Sequence, residues 1–188
     1  MENLGFVPAH VQAMDWSRIG FNGATFWVLV PFLTYALLHG SLTHLAVNGL
    51  AFLIFATVVA RRVGTVRFFA LTLVGTVASV LAHLVAHWGE ATPVIGASGA
   101  ISGYMGAASR FMFIDPRDPA AAGRILPLHS RPVVMFALIW TVANVGFGLT
   151  GFSLDQSQDL TAWEAHLGGF YAGLLLFPLF DQKRGWLA

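Results

Sequence analysis

Long apolar runs with few interrupting charges limit this chain to very few fold classes. A helix that crosses a bilayer needs about 20 apolar residues. The first run, Ala24–Ala60, is too long for one such helix, and Pro31 and Gly40 offer breaks. Ala24–Leu38 reads as an interfacial or re-entrant segment, and Ser41–Ala60 as a span. Val66–Trp88, Val94–Phe113, Pro132–Leu149 and Thr161–Phe180 complete a set of five expected spans. Charged residues make up only 10% of the chain, against about 25% in soluble domains. A chain of this size cannot bury so much apolar surface in one aqueous core. A soluble globular enzyme and a disordered protein are thereby excluded. The formal net charge of +1 provides no basic face for nucleic acid. The absence of Cys excludes disulfides, thiolate metal sites and cysteine nucleophiles. The expected fold class is all-α: a polytopic transmembrane helical bundle.

Charge placement predicts the orientation. Arg61, Arg62, Arg67, Arg110, Arg117, Arg124, Arg131, Lys183 and Arg184 fall on one side of the five spans, and only Arg18 falls on the other. Glu90, Asp155, Asp159 and Glu164 lie in the opposite loops. The positive-inside rule places the N-terminus outside and the C-terminus in the cytoplasm, in what reads as a bacterial cytoplasmic membrane. Met1–Gly20 carries Glu2, Asp15 and Arg18 and does not read as a signal peptide. The chain reads as one domain over 1–188, with an extracytoplasmic or interfacial segment at 1–40, a helical bundle at 41–180 and a cytoplasmic tail at 181–188.

Polar residues inside spans are costly and each needs a reason. His44 and Asn48 are four residues apart and share a helix face. Both can donate hydrogen bonds to a developing oxyanion, or can join packed helices. Ser98 sits in Gly96-Ala-Ser-Gly99-Ala-Ile-Ser-Gly103, where small neighbours allow close approach. Gly99 and Gly103 form a Gly-x-x-x-Gly packing seam, and Gly169 and Gly173 form a second one just after His166. Taken singly, each of these features is explained by packing. Together they say more. The spans beginning near Val94 and Thr161 are expected to run parallel. If their seams face each other, Ser98 and His166 differ in depth by about 3 Å. A serine becomes nucleophilic beside a base, usually a neutral imidazole. No Asp is placed by sequence to orient His166, so a dyad is expected.

On these residues the chain resembles the rhomboid intramembrane serine proteases. The matching stretches are His39-Gly-Ser-Leu-Thr-His44-Leu-Ala-Val-Asn48, Gly96-Ala-Ser98-Gly99 and Ala165-His166-Leu-Gly-Gly169-Phe-Tyr-Ala-Gly173. The resemblance implies Ser98 as nucleophile and His166 as general base. It also implies an oxyanion hole formed by His44, Asn48 and the Ser98 backbone N–H. The implied substrates are single-span membrane proteins cut near the outer face of the bilayer. No cofactor is implied, and the oligomeric state stays open. Three departures stand out. The family's core has six spans, and the one preceding the first motif is missing here, so Met1–Phe26 resembles the loop that should follow it. Val30-Pro31 stands where the bacterial family often has a Trp-Arg pair. Ser102 stands where an aromatic often packs on the catalytic histidine, and Tyr104 is expected on the wrong face.

A catalytically silent rhomboid-like protein that binds or escorts membrane clients is the alternative; the presence of both Ser98 and His166 favours the enzyme. A transporter is disfavoured, since no pair of broken-helix repeats is visible. His83 and His87, spaced i, i+4, suit either a metal ion or packing. With no third ligand evident, packing is the expectation.

Overall fold

The computed structural model describes residues 4–15, 17, 20, 23–115, 117–118, 123–150 and 162–181. Arg18, Asp155, Asp159, Thr161, Lys183, Arg184 and the expected tail beyond 181 lie outside these residues. Among the described residues the regular structure is helical: α1 (Pro8–Gln12), α2 (Gly23–Leu29), α3 (Pro31–Thr34), α4 (Leu42–Val63), α5 (Thr65–Ala86), α6 (Ser98–Ser109), α7 (Arg131–Thr150) and α8 (Trp163–Phe180). A 3-10 turn, Tyr35–Leu37, follows α3.

The segment expected to be interfacial is broken into short pieces, with Pro31 at the first position of α3. Ser41 then starts α4, its Oγ accepting from the His44 N–H at 3.0 Å. Gly64 ends α4 at φ 78°, a left-handed value that suits glycine, and α5 begins at the next residue. Among the described residues three helices, α4, α5 and α7, are long and apolar enough to cross a membrane. α8 has 18 residues but carries Glu164 and His166 in its first turns.

The third expected span is shorter than the hydropathy of Val94–Phe113 suggests. α6 has 12 residues, about 18 Å of helix. Residues 94–97 are not helical; Gly96 turns the chain at φ 119°, and Val94 pairs with Phe6 in an antiparallel bridge. Hydropathy cannot distinguish a spanning helix from a buried shorter one preceded by an apolar loop.

α6 is the central helix, with ten of its twelve residues buried. One core joins Val59 and Val63 of α4, Leu71 of α5, Ile101, Tyr104 and Ala107 of α6 and Phe177 of α8. A second, Val133 with Phe170 and Leu174, attaches α7 to α8. The outward faces are apolar as well: Leu42, Val66, Val85, Leu138, Ile139 and Leu179 are all exposed. Such a surface is stable in hydrocarbon rather than in water.

The basic end is tied by two arginines. Arg62 pairs with Asp181 at 2.7 Å and donates to the carbonyls of Gly123 and Arg124. Arg110 donates to Leu126 O and Leu174 O, both at 2.8 Å. The other end is held by the N-terminal segment. Phe6 and Val94 exchange backbone bonds of 3.0 and 2.8 Å, and the Ala9 N–H donates to Glu90 O at 2.9 Å. Phe6, Val11 and Tyr35 pack there against Val80 and Leu84 of α5.

Candidate active site

The glycine seams bring α6 and α8 together. A Cβ on Gly169 would collide with Gly99 O, and one on Gly173 with Gly103 O. Both numbers rise together, so the helices run parallel and their backbones touch. Gly75 of α5 approaches the same seam, 3.4 Å from where a Gly103 Cβ would lie.

This contact sets Ser98, the first residue of α6, beside His166 in the first turns of α8. Ser98 Oγ lies 2.7 Å from His166 Nε2. His166 Nδ1 lies 2.8 Å from Asn144 Oδ1. The Asn144 amide nitrogen donates to the Trp140 carbonyl at 2.9 Å, which turns the oxygen toward the histidine. Asn144 Oδ1 can only accept, so His166 Nδ1 carries the proton. Nε2 is then left with a lone pair facing the Ser98 hydroxyl, the tautomer a general base requires.

Asn144 was not among the residues the sequence singled out. The signal available was one Asn, 5% exposed, within an otherwise apolar span. No Asp is expected to orient His166, and the group at its Nδ1 is a neutral amide from α7. No Asp or Glu spacing could have shown it.

His44 and Asn48, on the first turns of α4, lie over the loop before Ser98. A Cβ at Gly96 would stand 2.8 Å from His44 Nε2 and 3.8 Å from Asn48 Nδ2. Gly96 thus provides both the turn and the space for these side chains. Its N–H donates to Tyr35 O at 2.9 Å, which fixes the loop. Asn48 is 6% exposed and its Nδ2 has no acceptor among the described residues. A buried donor without a partner is costly unless something else accepts from it. The first backbone bond of α6 runs from the Ile101 N–H to Ala97 O, so the N–H groups of Ser98, Gly99 and Ala100 precede the ladder. Donors from two helices thus flank Ser98.

Other expected features fall out as follows. The Ser102 hydroxyl donates back to Ser98 O at 2.8 Å. Tyr104 turns away from the histidine, stacks on Phe68 and shares a 2.7 Å bond with Thr72. His39 lies edge-on to His44 with ring centroids 5.0 Å apart. Burial, and then the neighbouring His44, lower the His39 pKa. His83 and His87 stack on each other and have a neighbour the sequence did not reveal, Glu164.

Comparison with known proteins gives this geometry a family. The family profile described as Rhomboid domain matches residues 15–182. The chain is 24% identical over 173 residues to the Rhomboid protease GlpG of Yersinia pestis (strain Pestoides F), covering 92% of this chain and 56% of that protein. It is 31% identical over 144 residues to the Rhomboid protease GluP of Bacillus subtilis (strain 168), covering 77% of this chain and 25% of that protein. The chain thus spans about half the length of the GlpG relatives it matches. With the profile covering most of its length, this helical membrane protein belongs to the rhomboid family.

Proposed function

We propose that the chain is an intramembrane serine endopeptidase. The observation that carries this reading is the Ser98 Oγ–His166 Nε2 contact of 2.7 Å, backed by Asn144 on the far nitrogen. Ser98 Oγ attacks the scissile carbonyl carbon while its proton passes to His166 Nε2. The carbonyl oxygen becomes an oxyanion that accepts from Asn48 Nδ2, His44 and the backbone N–H of Ser98. His166 gives the proton to the leaving amine as the C–N bond breaks. Water, deprotonated by the same nitrogen, then releases the acyl group from Ser98.

Substrates in this reading are membrane proteins with a single span, cut near the end of the bundle that holds Ser98. The crowding of arginines at the opposite end supports a cytoplasmic location for that end and an outward-facing site. The test is covalent labelling by a fluorophosphonate probe in membranes, with cleavage of a single-span reporter measured alongside. Labelling and cleavage by the wild type, both lost in Ser98→Ala and His166→Ala, is the expected result. An unlabelled, folded wild type, or equal cleavage by Ser98→Ala, refutes the mechanism and leaves a client-binding role.

A further inference from the structure

A second cluster of reactive side chains lies outside the serine site. His83 stands one turn before the end of α5, His87 caps that helix, and Glu164 is the second residue of α8. One ligand atom from each lies within 4.8 Å of the others. His87 Nε2 is 3.1 Å from Glu164 Oε1. The two imidazoles stack with centroids 4.4 Å apart and planes 28° apart, so their ring edges are presented side by side.

Two further observations point to a ligand. His83 is 7% exposed, and its Nδ1 has no hydrogen-bond partner among the described residues. On the other histidine, His87 Nδ1 lies 3.0 Å from Glu90 Oε2. A carboxylate on the far nitrogen of a histidine is the arrangement that fixes the tautomer and strengthens the nearer nitrogen as a ligand. Glu90 therefore accepts from the Nδ1 N–H, and without a bound ion Nε2 donates to Glu164; an ion bound between Nε2 and Glu164 would displace that second proton. The His87 and Glu164 side chains are 27% and 15% exposed, so an ion can enter from solvent.

We propose that His83, His87 and Glu164 form a transition-metal site, best matched to Zn2+, that ties the outer end of α5 to the first turn of α8. Two imidazoles and one carboxylate suit Zn2+ and exclude Mg2+ and Ca2+, which take oxygen ligands. A tetrahedral ion with bonds near 2.0–2.1 Å needs ligand atoms about 3.3 Å apart. The His87–Glu164 pair is already close to this spacing at 3.1 Å, and the His83 ligand atom, within 4.8 Å of the other two, must turn toward them on binding. A fourth position remains for water. The site is independent of the serine chemistry, although Glu164 lies only two residues before His166.

The test is calorimetric titration of the purified, chelator-treated full chain in detergent with Zn2+, alongside thermal unfolding. The wild type should bind one Zn2+ and unfold at a higher temperature in its presence. His83→Ala and Glu164→Gln should each bind at least about tenfold more weakly, since losing even an outer partner of a metal ligand costs that much. His44→Ala should bind as the wild type does, which separates this cluster from His39 and His44. Glu164→Gln keeps the side-chain shape and decides the matter if His83→Ala fails to fold. No Zn2+ binding by the wild type, binding unchanged in both variants, or binding lost in His44→Ala overturns the proposal. In the first case the cluster is an ion pair of His87 with two glutamates only.

Discussion

Replacing Asn144 with Val tests the site at its least visible member. The substitution roughly preserves volume and removes the acceptor that holds His166 Nδ1 at 2.8 Å. Two effects follow. His166 can turn away from Ser98, and the tautomer with the proton on Nε2, useless as a base, is no longer disfavoured. A buried donor left without its acceptor costs about 1–3 kcal/mol. At about 1.36 kcal/mol per factor of ten, that is a loss of about 5- to 150-fold in the population of competent histidine. An upper bound of about 10⁴ applies where a buried carboxylate does this work and the wrong tautomer results. A neutral amide should fall well below it. The assay is the second-order rate of fluorophosphonate labelling in membranes, with thermal unfolding measured in parallel. The expected result is a labelling rate reduced about 5- to 150-fold, with a melting temperature lowered by roughly several degrees. Asn144→Asp keeps an acceptor opposite Nδ1 and should retain more of the rate than Asn144→Val. A Val variant labelled as fast as the wild type would show that His166 holds its tautomer without α7, and the orientation argument would fail.

Asn48→Ala removes one of several oxyanion donors and should slow reporter cleavage by up to about 10²-fold, with labelling still detectable. Gly169→Ala places a methyl against the Gly99 carbonyl, so unfolding temperatures should fall by an amount corresponding to about 1–3 kcal/mol. Gly146→Ala is its control: nothing lies within 4 Å of the new methyl, and the change should be neutral or slightly stabilising. Arg62→Ala removes the ion pair to the buried Asp181 carboxylate and should lower stability in detergent unfolding. Adding Asp181→Asn should restore part of that loss.

Much of the bundle is legible in the sequence because membrane helices are read from length and apolarity. Pro31 marks a break that the structure uses, and Ser41, read as the start of a span, is the N-cap of α4. The approach of α6 to α8 is legible for a different reason. Glycines four apart on two parallel helices can pack backbone to backbone, and the offset from each seam to Ser98 or His166 then fixes their relative depth. What local sequence lacks is lateral information. A single Asn in an apolar helix declares that it needs a partner and not which one, so Asn144 could not be joined to His166. Glu164 reads as an ordinary loop acid until the C-terminal end of α5 is laid against α8. Hydropathy likewise sees apolar residues from Val94 onward and cannot register that Gly96 turns the chain there.

In the proposed reaction, that turn bears on how water and a bilayer-embedded peptide would meet. Ser79 of α5 packs where a Gly99 side chain would begin, and α5 continues from Ser79 to Ala86. Seven further residues of helix are about 10 Å. Ser98 therefore sits recessed below the end of its neighbour and starts its own helix inside the bundle. A full-length helix through this position would have its backbone N–H groups paired in the ladder at that depth. A helix that begins at Ser98 leaves the first N–H groups unpaired beside the hydroxyl, with the positive end of the helix dipole behind them. The cost is an irregular loop at residues 94–97, whose polar backbone must be satisfied in apolar surroundings. The Phe6–Val94 bridge and the Gly96–Tyr35 bond meet that need. In the proposed enzyme the N-terminal segment therefore supports the site: it holds the loop that allows α6 to start at Ser98.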